Sequence, residues 1–273
     1  MPELPEVEVI RRGLAPQLVG RRLLGVRVGE KRLRQQSPPE ALRRWVSGRR
    51  LEHLERRGKY LVGRLEGGAT LLLHLGMTGR LLLGPAPYPP RPHVHLVFQV
   101  EGGLELLFQD VRRFGQVLVF PPGTRPAPLD QVGREPFSRA VTPEWLAAQA
   151  RGRQRPVKNF LLDGRVLAGI GNIYASEILF AARIHPETPV SRLSLGRWGR
   201  LLKETRRILR AAIAKGGTTV SDYLNAQGET GLFQFELQVY GREGEPCPRC
   251  GGAVFRLPQG GRSTFFCRRC QRR

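Results

Sequence analysis

Cysteine is absent from the first 246 of the 273 residues. No disulfide framework can therefore support the main body of the chain. Acidic residues are few: 23 Asp and Glu stand against 45 Lys and Arg, which leaves a net charge of +22. That balance points to a polyanionic partner, either nucleic acid or an anionic membrane surface. No apolar run is long enough for a membrane span, and no signal-peptide core follows Met1. There is no basic amphipathic helix and no lipidation signal. Nucleic acid is thus the favoured partner, and a cytoplasmic location is expected. No internal repeat and no oligomerisation seam are visible, so a monomer is expected.

What is present suits two ordinary domains or one large one. At 273 residues and 40% hydrophobic, the chain can bury a real core. The basic residues are mostly arginine and run the whole length, so they are not a disordered tail. Val7, Ile10 and Leu14 have helical spacing after Pro5, which suits the first position of a helix. Pro16 is expected to end or kink that helix. Residues 18–34 alternate apolar and basic and read as a strand. Ser37 reads as the N-cap of a short helix carrying Ala41, Leu42, Trp45 and Val46 and stopping at Gly48.

From 49 to 120, short apolar segments alternate with turns such as Glu66-Gly67-Gly68 and Glu101-Gly102-Gly103. This is the pattern of an antiparallel sandwich or barrel. Residues 121–141 lose periodicity and gain proline, as a linker does. Helices are expected from Thr142 to about Gln149, over 156–163, from Asn172, and over about 194–214. Residues 216–240 read as a mobile loop leading to a strand. The expected fold class is α+β. A β-sandwich domain covers 1–120, a linker 121–141, a helical domain 142–235, and a cysteine-bearing module 236–273.

Cys247, Cys250, Cys267 and Cys270 form C-x2-C-x16-C-x2-C, two knuckles that together close one tetrahedral zinc shell. Four protein ligands leave no open position, so one structural Zn2+ is expected. Between the knuckles, AVFRL and STFFC can pair as a hairpin with Arg262 projecting from it. A solvated turn arginine is the plain alternative, although the basic setting favours phosphate contact.

A methionine followed by proline is normally trimmed, so the mature chain is expected to begin at Pro2. A secondary amine condenses with an aldehyde to an iminium that cannot lose a proton to become neutral. It is therefore a covalent electron sink. Glu3 and Glu6 supply acid–base partners. Taken alone, PELPE reads better as a capped helix start; the rest of the chain favours the amine. The turn LAGIGN places Gly169, Gly171 and Asn172 before a helix, where amide groups favour phosphate. An ordinary interhelical turn with an Asn cap has the same pattern. Met77 in a Gly-rich loop, and Arg112, Arg113 and Phe114 between two strands, are candidate wedges for a base stack or else core residues. Lys59 reads locally as a solvated strand charge. His74, His93 and His95 are too scattered for a metal site.

Taken in order, MPELPEVE, RRGKYL, HLGMTG, RRFG, GIGNIYASEILF, ELQVYGREGEPC and the terminal cysteine module resemble bacterial formamidopyrimidine-DNA glycosylase nearly end to end. The resemblance implies a β-sandwich flanked by helices, a helix–two-turn–helix domain and a zinc-ribbon finger, with double-stranded DNA in a basic cleft between domains. It implies a bifunctional base-excision-repair glycosylase and abasic-site lyase. The expected lesions are oxidised purines, 8-oxoguanine and formamidopyrimidines, and no redox cofactor is expected.

Carried over residue by residue, Pro2 is the nucleophile at C1′. Glu3 is the acid/base that protonates the opening sugar, and Glu6 is a supporting carboxylate. Lys59, grouped with the catalytic residues, matches a phosphate-binding position, as do His74, Asn172 and Arg262. Met77, Arg112 and Phe114 match the triad that fills the void left by a flipped base, with Arg112 facing the orphan cytosine. Lys158 matches a lysine that handles the oxidised purine, and residues 218–236 match a lid over the extruded base. Two positions depart from the family pattern: Val111 stands where proline is common, and His95 where an acidic residue is common.

The sister enzyme endonuclease VIII begins with a start like PEGPE and removes oxidised pyrimidines. Leu4, Met77, Arg112 and Phe114 favour the purine branch. A non-catalytic DNA-binding protein would tolerate any N-terminus, so the intact Pro2, Glu3 and Glu6 count against it.

Overall fold

The computed structural model describes residues 2–218 and 232–272. Helix α1 (Leu4–Leu18) starts one residue before Pro5. A proline is tolerated there because first-turn N–H groups have no partner within the helix. Leu4, Val7, Ile10, Leu14 and Leu18 are each at most 2% exposed. Burying one such side chain contributes about 1.5–3 kcal/mol. Contrary to expectation, Pro16 does not end the helix, which runs to Leu18. The hydrogen bond that Pro16 cannot make falls in the last turn, where the Val19 N–H still reaches the Ala15 carbonyl at 3.0 Å.

Nine strands follow: β1 (Arg22–Val28), β2 (Gln35–Gln36), β3 (Arg49–Arg57), β4 (Tyr60–Leu65), β5 (Thr70–His74), β6 (Gly79–Pro85), β7 (Val94–Val100), β8 (Leu104–Asp110) and β9 (Gln116–Phe120). Their hydrogen-bonded order is β2-β9-β5-β4-β3-β1-β7-β8-β6. Neighbours run antiparallel except in the short β2–β9 ladder. β1 and β3 pair only through Arg22 with Arg50 and Leu23 with Arg49. This narrow join divides the sheet into two halves that share one core. Leu61, Leu71 and Val117 enter it from one half, and Leu81, Phe98 and Phe108 from the other. The expected sandwich takes this form, with α1 packed on β3 and β4.

Helix α2 (Pro39–Val46) is preceded by Pro38 as its N-cap. Ser37 does not cap it, because its hydroxyl accepts the Val119 N–H at 2.9 Å. The expected linker contains one helical turn, α3 (Ala127–Asp130).

Met1–Asp130 and Lys215–Gln234 form one compact unit, and Gln131–Ala214 with Phe235–Arg273 form the second. Of the lid expected at 218–236, residues 219–231 lie outside the described residues. The second unit contains α4 (Pro143–Ala150), α5 (Val157–Leu161), α6 (Asn172–Ala181) and α7 (Leu195–Ala214). Thr142 caps α4 as expected, its hydroxyl accepting the Trp145 N–H at 3.1 Å. Helix α7 packs on α4 and α6 and buries Trp198, Leu201, Leu202, Ile208 and Leu209.

The strand expected before the cysteine module is replaced by a 3-10 turn at Phe233–Glu236. The backbone that follows bonds to Glu177 instead of to a neighbouring strand. That carboxylate accepts the N–H groups of Gln238, Val239 and Tyr240 at 2.9, 3.0 and 2.8 Å. Beyond it, β10 (Phe255–Gln259) and β11 (Arg262–Phe266) form a hairpin. Gly260 and Gly261 turn it at φ of 58° and 72°, which side chains with a Cβ rarely adopt. Among the described residues no helix is long and apolar enough to cross a membrane.

Candidate active site and nucleic-acid interface

Pro2 is buried just ahead of α1, and Glu3 is the helix N-cap. Glu6 Oε2 accepts the Glu3 N–H at 2.8 Å, the backbone half of a capping box. The first turn of α1 thereby fixes the chain on which Pro2 is mounted. Glu3 and Glu6 are both 2% exposed. The second oxygen of Glu6 accepts the N–H and the hydroxyl of Thr218 at 2.9 and 3.0 Å. Thr218 carries no local sequence signal for this role, because its partner is 212 residues away.

Glu8 ties α1 to the end of β3. It pairs with Arg11 at 2.8 Å, Arg12 at 2.9 Å and Arg56 at 3.1 Å. Burial raises the Glu8 carboxyl, but the hydrogen bonds from Arg11 and Arg12 and the charges of Arg11 and Arg56 outweigh it and hold it down at about 2.

Gly58 and Lys59 turn the chain from β3 into β4, so Lys59 lies in a hairpin turn, not within a strand. Burial and the nearby Lys59 charge bring His74 down to about 4. His74 is therefore neutral at pH 7. Its Nδ1 accepts the Gly76 N–H at 3.0 Å, which places the ring proton on Nε2. Nε2–H is a neutral donor suited to a phosphate oxygen. Tyr60 packs on the ring with centroids 4.7 Å apart.

Met77 and Phe114 are surface residues and not part of the core, at 42% and 37% exposure. Met77 lies in the β5–β6 loop, and Arg112 and Phe114 in the β8–β9 loop. The Arg112 guanidinium stacks on the Phe114 ring, 4.7 Å from its centroid. His95 is buried, with its ring nitrogens 2.7 Å from the Lys31 carbonyl and 2.8 Å from the Asp110 carbonyl. A carboxylate there would face two acceptors with nothing to donate, so this backbone suits histidine.

The second unit gathers three further residues at the hairpin. Asn172 is the first residue of α6, not its cap, and its amide donates to the Ser263 carbonyl at 2.9 Å. Lys158 is fully buried. Its Nζ donates to the Thr264 hydroxyl at 2.6 Å and the Ser263 carbonyl at 3.1 Å. Through these two bonds Lys158 braces β11 from beneath. Arg262, at the start of that strand, is exposed.

The four cysteine Sγ atoms lie within 4.8 Å of one another, and all four cysteines are free of disulfides. Cys247 and Cys270 are 3.9 Å apart, and Cys250 and Cys267 3.5 Å. Zn–S bonds of about 2.3 Å in a tetrahedron require sulfurs roughly 3.8 Å apart, so the cluster fits the metal.

Residues 1–117 match the formamidopyrimidine-DNA glycosylase N-terminal domain, and 132–223 the H2TH domain of the same enzyme. Residues 244–273 match the zinc finger found in FPG and IleRS. A formamidopyrimidine-DNA glycosylase from Acidithiobacillus ferrooxidans is 47% identical over 272 residues, covering all of both chains. The chain belongs to the formamidopyrimidine-DNA glycosylase family.

As a member of that family it is a DNA-repair enzyme, a bifunctional glycosylase and abasic-site lyase. The MutM (Fpg) protein of Thermus thermophilus has the same fold, with a TM-score of 0.89 and 41% identity, covering 99% of this chain and 98% of that one. A Lactococcus lactis FPG mutant, in complex with Fapy-dG DNA, matches at a TM-score of 0.92 and 33% identity over all of both chains. Lactococcus lactis Fpg has also been solved with abasic-site DNA and with DNA containing an oxidised pyrimidine.

Proposed function

We propose that this glycosylase removes oxidised purines, 8-oxoguanine and formamidopyrimidines, from duplex DNA and then cleaves the strand by β,δ-elimination. The observation that carries the reading is the Pro2-Glu3 start of α1, held by buried Glu6. The Pro2 nitrogen attacks C1′ of the everted nucleotide as the C1′–N bond breaks and the base leaves with that electron pair. Glu3 gives its proton to the opening sugar oxygen. The resulting iminium at C1′ acidifies the C2′ proton; its removal expels the 3′ phosphate, and a second elimination releases the 5′ phosphate. The Pro2 N–H proton goes to the departing base, and one water finally hydrolyses the iminium to free Pro2.

Lys59, His74, Asn172 and Arg262 are assigned to phosphate oxygens. His74 suits this as a neutral Nε2–H donor, and Arg262 as an exposed charge on a rigid hairpin. Met77, Arg112 and Phe114 are assigned to the vacated base position, which their exposure supports. Cys247, Cys250, Cys267 and Cys270 would hold one Zn2+ with all four thiolates, and the metal would brace the hairpin and not take part in the chemistry. The protein works as a monomer on double-stranded DNA.

Borohydride trapping on duplex DNA carrying 8-oxoguanine opposite cytosine, with peptide mapping of the cross-link, tests the reading. A covalent adduct at mature Pro2 is expected, and Pro2→Gly should impair strand cleavage more than DNA binding. Equal loss of both, or an adduct elsewhere, overturns the nucleophile assignment. An adduct with a pyrimidine lesion would not by itself move the chain to the sister enzyme, since the Lactococcus protein accepts such DNA in a crystal. Faster excision of pyrimidine than of purine lesions would.

A further inference from the structure

Met77 and Phe114 belong to different loops, and one buried carboxylate joins them. We infer that Thr78 and Asp110 are positioning residues for recognition of the orphan base, setting the backbone from which Arg112 reads the opposite cytosine. The inference rests on the role proposed above for Arg112.

Asp110 is the last residue of β8 and is 0% exposed. Its Oδ1 accepts the Thr78 hydroxyl at 2.5 Å and the Arg112 N–H at 3.2 Å. Its Oδ2 accepts the Gly115 N–H at 2.7 Å. The Thr78 oxygen accepts the same Arg112 N–H at 3.1 Å. A single backbone N–H is thus pinned between two acceptors, one from each loop. The Arg112 side chain remains exposed.

Two glycines let the loops interlock this closely. A Cβ on Gly76 would come within 2.5 Å of the Phe114 carbonyl carbon, and one on Gly115 within 2.6 Å of the Phe108 ring. From the other side, the His95 ring lies 2.8 Å from the Asp110 carbonyl. Val111 imposes no fixed φ, so the staple and not the residue type sets the loop.

Arg112 needs this support for a geometric reason. A planar guanidinium distinguishes bases only when its paired donors meet the acceptors in register. A small turn of the Arg112 backbone is amplified along its long side chain and loses that register. Fixing its N–H fixes the lever.

The test is the ratio of excision rates for 8-oxoguanine opposite cytosine and opposite adenine. It is measured by single-turnover kinetics for the wild-type protein, Thr78→Val, Thr78→Ser, Asp110→Asn and Arg112→Ala. Thr78→Val keeps the shape but removes the shared hydroxyl. It should shrink the ratio by roughly tenfold, the scale of one buried hydrogen bond, toward that of Arg112→Ala. Asp110→Asn should shift it in the same direction, and Thr78→Ser should restore it. A uniform loss of rate in Thr78→Val and Asp110→Asn with an unchanged ratio overturns the inference while leaving the Arg112 role intact. An unchanged ratio in Arg112→Ala overturns both.

Discussion

Glu6 and Thr218 are bonded twice: one carboxylate oxygen accepts both the backbone N–H and the side-chain hydroxyl of the threonine. The other oxygen of Glu6 holds the Glu3 N–H. Glu6→Ala would leave these buried donors without their acceptor, at about 1–3 kcal/mol for each group stranded. We expect abasic-site cleavage to fall more than DNA affinity, because the backbone next to Pro2 is released. Single-turnover cleavage compared with anisotropy titration checks this. Equal losses would reduce Glu6 to a general stability residue.

Arg56 is 9% exposed at its side chain and pairs with Glu8. Glu8→Gln should destabilise the protein by roughly 3 kcal/mol, because a buried guanidinium loses a counter-charge. The carboxyl is depressed in the folded state, from 4.5 to about 2. Its contribution is therefore fully present above pH 4.5 and is lost as pH falls toward 2. Urea unfolding of wild type and Glu8→Gln at pH 7 and pH 3 should show the difference narrowing with acid.

His74 titrates in the opposite chemical sense but with the same pH direction. Its folded value of about 4 lies below the ordinary 6.5, so the unfolded chain takes up a proton first. Stability is full above pH 6.5, declines as pH falls from 6.5 toward 4, and levels off below that. The ring is partly exposed, so the loss is of order 2 kcal/mol. Wild type should lose stability relative to His74→Gln between pH 7 and pH 5. Parallel curves would contradict the neutral, Nε2-protonated ring.

Lys158 and Arg262 are separable by salt. Arg262→Ala should weaken DNA binding and reduce the slope of log K against log salt by about one unit, as for a lost phosphate contact. Lys158→Met should weaken binding by loosening the hairpin yet leave that slope unchanged, because its ammonium contacts Ser263 and Thr264. A reduced slope in Lys158→Met would instead support the DNA contact that the family resemblance implies for this lysine.

Much of this protein is written locally. The cysteine spacing, the Thr142 cap, the start of α6 at Asn172 and the apolar spacing of Val7, Ile10 and Leu14 follow from contacts between residues a few positions apart. The motif order carried the family, and with it the class of chemistry at Pro2. Other features depend on partners far along the chain. Ser37 bonds Val119 instead of capping a helix. The residues after Glu236 bond a carboxylate on α6 instead of forming a strand. Lys158 is drawn under a hairpin 105 residues away. Thr218 and the Thr78–Asp110 staple are invisible to pattern reading for the same reason. A buried polar group must find a partner, and which one it finds is settled only when distant segments pack together. The order of residues supplied the groups able to do the chemistry; packing selected which of them are held, and by what.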